Sequence, residues 1–149
     1  MTKIGDLMTE KLETIETSLS AQEAAMKMRD RNVSSLVVID ANSKTVGIIT
    51  ERDLVRKVCV HDASSKDTSV RDIMSDALVT TDAISEVGVA ADIMIQNQVR
   101  HLLVVKDEDI NKPLGIITPS DLARYLKENL DIDDVNATII KSLIETEKE

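Results

Sequence analysis

Aromatic residues are almost missing from this 149-residue chain, which has no Phe, no Trp and a single Tyr, Tyr125. Its core must therefore be aliphatic, and a flat ligand would be gripped by Ile, Val and Met rather than by ring stacking. Cysteine is as scarce. Cys59 stands alone, which excludes an internal disulfide and suits a reducing cytoplasm. Basic residues number 18 against 27 acidic ones, a formal net charge of -9. Nonspecific nucleic-acid binding needs a clustered basic face, so nucleic acid is not an expected partner, although a local basic pair can still hold one small anion. No stretch approaches the ~20 apolar residues of a membrane span, and no basic N-terminal region precedes an apolar run. Membrane insertion and secretion are not expected, and the expected setting is cytoplasmic.

Reacting groups are also few. Cys59, His61 and Asp62 lie close together in "CVHD", yet nothing elsewhere completes a nucleophile and base arrangement. One Cys and two His fall short of a zinc site, and P-loop, G-x-G-x-x-G and G-x-S-x-G patterns are all absent. The expectation is a chain with no catalytic residues, no metal and no obligatory cofactor.

What the chain has is repetition. Shifted by 66 places, residues 4–39 match residues 70–105 at 10 of 36 positions, laying "DLMTEKL" on "DIMSDAL" and "VSSLVVI" on "VRHLLVV". Beyond a loop two residues longer in the second half, the shift becomes 68. There "GIITERDLVRKV" and "GIITPSDLARYL" share 7 of 12 residues. Each half reads as strand, helix, strand, strand, helix. A short extended piece ("LETIE", "ALVTT") precedes a helix over 20–31 or 85–96, the first opened by the Ser20/Glu23 capping box. The β-branched runs "SLVVID" and "HLLVVK" read as strands, and polar loops, the second containing Pro113, lead into "TVGIIT" and "PLGIIT". Helices "ERDLVRKV" and "PSDLARYL" follow. Neither half buries much core alone, so the two are expected to pack sheet to sheet about a pseudo-twofold axis.

The division expected is residues 1–62, a Ser- and Asp-rich linker at 63–69, residues 70–127, and a tail at 128–149. In the tail, Ile132, Val135, Ile139, Ile140, Leu143 and Ile144 recur at helical spacing, which predicts an appended amphipathic helix. Leu54, Val55, Val58, Leu122 and Leu126 are available to pack across a twofold axis, so a homodimer is expected.

The repeated motif carries the chemistry. Gly47 and Gly115 fall inside strands, where a missing side chain calls for a close approach by another backbone or a ligand. Thr50 and Thr118 sit where an N-cap belongs, with Asp53 and Asp121 three residues on. Two uses fit that spacing: capping alone, or capping together with a carboxylate that accepts both hydroxyls of a ribose. The repeats differ where Arg100 and His101 replace Ser34 and Ser35. An arginine fork suits phosphate oxygens, and a histidine adds one hydrogen bond. The pair is expected to serve the second motif, with the alternative that Arg100 reaches the other cleft, because the two repeats interlock.

The doubled "DLMT…AA..M…SSLVVID…GIITERD" pattern resembles a tandem pair of CBS domains, the module named after cystathionine beta-synthase, over about residues 4–127. The resemblance implies an α+β fold of two β-α-β-β-α CBS repeats with pseudo-twofold symmetry, to which the C-terminal amphipathic helix is added. It also implies a regulatory module whose clefts bind AMP, ADP, ATP or another adenosyl compound and which modulates a partner protein; the alternative is an interaction scaffold with vestigial sites. By residue, it implies ribose contacts at Asp53 and Asp121, and phosphate contacts at Thr50, Arg52, Arg100, His101, Thr118 and Ser120. Base contacts fall to Thr14, Ile15, Val33, Thr80, Thr81 and Val99. Arg52 fits equally as a solvated helix residue.

Overall fold

The structure, a computed structural model, describes residues 2–129 and 132–147. The first half contains α1 (Ile4–Leu7), β1 (Thr14–Glu16), α2 (Ala21–Arg31), β2 (Ser35–Ile39), β3 (Thr45–Thr50) and α3 (Glu51–Lys57), then a 3-10 turn at Cys59–His61. The second half repeats the order as α4 (Val70–Ile73), β4 (Thr80–Asp82), α5 (Val87–Asn97), β5 (Leu102–Lys106), β6 (Asp109–Ile117) and α6 (Pro119–Asn129), followed by α7 (Ile132–Glu147). Two sheets result, β1-β2-β3 and β4-β5-β6, each with one parallel and one antiparallel pair. Their registers obey the repeat. Thr14 faces Val37 as Thr80 faces Leu103, and Leu36 faces Ile49 as Leu102 faces Ile117.

Alternation along the central strands explains why their sequences are continuously apolar. Leu36 and Val38 join α2 residues Ala21, Ala24 and Met28 in one core, while Leu102 and Val104 join α5 residues Ala90 and Met94 in another. The intervening Val37, Leu103 and Val105 meet Ile116 in a third cluster between the sheets. A strand buried on both faces has no polar side to show. The order of layers is therefore helices, sheet, sheet, helices, as the halves' shortage of core required.

The sequence reading missed α1 and α4 and misplaced the start of β6. Four-residue α1 and α4 are too short to display a helical period. Both exchange sides: Ile4, with Leu7 and Met8, packs in the second repeat's core, while Val70 and Ile73, with Met74, pack in the first's. The expected cut between halves thus separates the chain but not the two cores. The loop expected before "PLGIIT" is instead a two-residue turn at Asp107 and Glu108, both at positive φ, and β6 begins at Asp109. Pro113 is tolerated inside it because β6 is an edge strand and the register shifts beside Pro113's partner, Val105.

Local chemistry fixes the helix starts. Ser20 Oγ accepts from Glu23 N at 3.1 Å, and Ser20 N donates to Glu23 Oε2 at 2.8 Å, closing the expected capping box. The next two amides of α2, Ala21 N and Gln22 N, donate to Thr68 O and Ser65 O, so the linker caps this helix. In the second half Glu86 replaces Ser20 and makes no side-chain cap, and α5 starts two residues later than expected. Tail helix α7 leaves Ile139, Ile140, Leu143 and Ile144 exposed by 49–62%. The side chains of Ile132 and Val135 lie outside the described residues. No described helix is long and apolar enough to cross a membrane.

Candidate functional site: two unequal clefts between the repeats

The strand ends of both motifs open into clefts lined by both repeats. Gly47 and Gly115 put a wall on each cleft. A Cβ at Gly47 would lie 2.7 Å from Ser75 O, and one at Gly115 would lie 2.6 Å from Thr9 O. The close approach is by backbone: Ile48 exchanges two hydrogen bonds with Ser75 (3.0 and 2.9 Å), and Ile116 two with Thr9 (3.1 and 2.9 Å). These clamps hold the segments after α4 and α1 against the opposite sheet.

The larger cleft has a volume of about 480 Å³. Thr50, Arg52 and Asp53 of the first motif meet Val99, Arg100 and His101 of the second repeat there, with Thr118 and Ser120 at the start of α6. Its apolar wall comes from Ile48, Leu78 and Val79. The smaller cleft, about 220 Å³, brings Asp121 together with Val33, Thr9, Lys11 and Glu13. Ser34, His101, Thr118 and Ser120 line both clefts and form the partition between them.

This geometry divides the expected pair, since His101 lines both clefts. Arg100 lines the cleft of the first motif, because each motif faces the strand entrance of the opposite repeat rather than its own. The expected base-contacting strand positions are also displaced. Ile15 points into the first core, Thr81 is buried, and neither Thr14 nor Thr80 lines a cleft. Thr14 O is taken by Lys27 Nζ. The cleft positions lie just before the strands, at Glu13 and at Leu78 and Val79. Val33 and Val99 are both at a cleft, each following a left-handed helix cap, Asn32 or Gln98, that also lines it. The sequence reading missed Ser75 and Thr9, although the aligned polar position after "DIM" and "DLM" marks them.

The two aspartates differ in what surrounds them. Asp53 Oδ2 accepts from Thr50 N (2.9 Å) and Thr50 Oγ1 (3.2 Å), and among the described residues Oδ1 receives only Lys57 Nζ at 3.1 Å. That carboxylate keeps 14% exposure, and Lys57 is itself 44% exposed. Asp121 is 2% exposed and takes four donors: Thr118 N and Oγ1 on Oδ2, Thr9 Oγ1 and Arg124 Nη1 on Oδ1. His101 Nε2 lies 2.8 Å from Ser34 Oγ across the partition. Burial pushes the His101 imidazole below its usual value and Arg100 adds to the effect, while Asp53 pulls the other way. His101 is therefore neutral at pH 7 in the unliganded protein.

A family model for the CBS domain matches residues 4–59 and again 70–128. The chain belongs to the CBS domain family. A relative from Acidianus ambivalens, described as an "uncharacterized 17.7 kDa protein", is 38% identical over 125 residues, covering 84% of this chain and 73% of its own. The crystal structure of an uncharacterized conserved protein from Pyrococcus horikoshii is 32% identical with a TM-score of 0.79, covering 87% of this chain and 96% of that one. A solved CBS domain pair, in complex with 5′-methylthioadenosine and S-adenosyl-L-methionine, is 25% identical with a TM-score of 0.77 over 87% of this chain and 99% of that one. The CBS pair accounts for the two sheets, and α7 follows the matched region.

Proposed function

We propose that this CBS pair is a regulatory module that binds an adenosine-containing nucleotide in the larger cleft and changes how a partner protein is held. One observation carries the reading: a reachable carboxylate, Asp53, shares a cleft with the guanidinium of Arg100, which has no ion-pair partner among the described residues. Asp53 Oδ1 accepts the ribose hydroxyls once Lys57 swings out, and Arg100, Arg52 and His101 meet phosphate beside the Thr118 and Ser120 end of α6. Ile48, Leu78, Val79 and Val99 cover the base. The volume of about 480 Å³ lies within the roughly 300–1,000 Å³ typical of small-molecule sites. The adenosyl complex of the related CBS pair supports the ligand class. The module holds its ligand without converting it, and a cytoplasmic setting belongs to the same reading.

A thermal-shift scan against AMP, ADP, ATP, S-adenosylmethionine and NAD tests this, because a ligand that binds only the folded state raises its stability. At least one should raise Tm. No shift with any of the five removes the reading and favours the scaffold alternative, which draws on the exposed apolar stripe of α7. Self-association is part of the proposal. Val55 on α3 and Leu126 on α6 are exposed and suit a twofold contact, whereas Val58 is buried and Leu54 and Leu122 pack inward. Sedimentation at micromolar concentration should give a dimer, and a monomer of about 16 kDa with and without nucleotide would remove it.

A further inference from the structure

We infer that the two copies of the motif have different jobs: Asp53 holds the ligand, and Asp121 is a structural latch, so each chain takes one nucleotide. The inference rests on the ligand class proposed above. A carboxylate offers about four acceptor positions. At Asp121 four donors occupy them. Arg124 is 60% exposed and can leave, but Thr9 cannot. Its backbone is tied to Ile116 by two hydrogen bonds, with Thr9 O packed against the bare face of Gly115, and moving Thr9 away breaks that pairing. The Thr9 bond spans 112 residues of sequence and fastens the segment after α1 to α6.

The matching position of the larger cleft behaves differently. Ser75 replaces Thr9, and among the described residues no bond joins it to Asp53. Volume points the same way, since about 220 Å³ falls below the range of roughly 300–1,000 Å³ for small-molecule sites. Charge completes the contrast. Where the larger cleft has Val79, the smaller has Glu13, whose carboxylate lies 4.0 Å from Arg31 and stands at the edge where a base would lie.

Calorimetric titration of the full chain with whichever of the five ligands gives the largest thermal shift decides the matter. The expected result is one ligand per chain, with Asp53→Asn weakening binding at least tenfold. Asp121→Asn should leave affinity within threefold while lowering Tm. Two ligands per chain, or unchanged binding by Asp53→Asn, overturns the division of labour and leaves nucleotide binding intact. Should Asp121→Asn fail to fold, the wild-type stoichiometry and the Asp53→Asn titration still decide. Absence of any binding overturns the proposed function and this inference together.

Discussion

Adding one methyl group at Gly115 should destabilise the protein, although the same change at Gly88 should not. At Gly115 the new Cβ would sit 2.6 Å from Thr9 O and 2.9 Å from Met8 Sδ. The methionine can swing aside. The carbonyl can reach ordinary contact only by retreating about 0.8 Å, which breaks its 3.1 Å bond from Ile116 N. Overpacking costs about 1–3 kcal/mol and a lost hydrogen bond about 1 kcal/mol, against roughly 0.4–1 kcal/mol gained by stiffening the unfolded chain. The net loss is about 2 kcal/mol, which for a chain of this length lowers Tm by roughly 4–8 °C. Gly47→Ala meets Ser75 O at 2.7 Å and should lose as much. It should also weaken nucleotide, because the displaced segment carries Leu78 and Val79 of the larger cleft. Gly88, in α5, has nothing within 4 Å, so Gly88→Ala should leave Tm unchanged or raise it. Calorimetric unfolding of the three variants is the assay. A Gly115→Ala protein as stable as wild type would refute the clamp.

Three further outcomes can be checked. Arg100→Ala should weaken AMP roughly 10- to 100-fold, from the ~1.5–3 kcal/mol of a charge-assisted hydrogen bond, while hardly changing adenosine, and added salt should shrink the wild-type preference for AMP; equal loss of both ligands would move Arg100 from phosphate to fold or base. His101 is held below its usual value chiefly by burial, so it contributes stability above about pH 6.5 that is lost as pH falls through its folded value. Denaturant unfolding across pH 5–8 should show that loss, and His101→Gln should remove this part of it. Thr81 replaces Ile15 in the repeat and buries a hydroxyl with no hydrogen-bond partner among the described residues, so Thr81→Val should stabilise by about 1 kcal/mol in the same unfolding assay, and a destabilised variant would show that the hydroxyl has found a partner.

Much of this architecture is written in the chain as repetition. The offsets of 66 and 68 give the paired sheets, the capping boxes and the matching strand registers, because equivalent residues meet equivalent neighbours. Partners are harder to read than equivalents. Nothing local in "RHLLVV" tells that Arg100 faces Asp53 rather than Asp121; that is set by how the repeats cross. The exchange of α1 and α4 is hidden for the same reason, and four residues hold no period. Asp53 and Asp121 occupy the same motif position, yet one is reachable and one is saturated. The difference comes from Thr9 and Ser75, which only the fold brings to them, and from Arg124, one helical turn beyond Asp121.

The exchanged segments bear on how such a chain can be divided. Cutting it within 63–69 gives one fragment whose core lacks Val70 and Ile73 and another whose core lacks Ile4, so neither fragment holds a complete interior. Mixed together, each carries the piece the other needs. The two halves should therefore reassemble as a complementing pair, and a lone repeat can complete itself only by swapping its leading segment with a twin. Seen this way, the tandem chain is a segment-swapped dimer whose two subunits have been joined end to end.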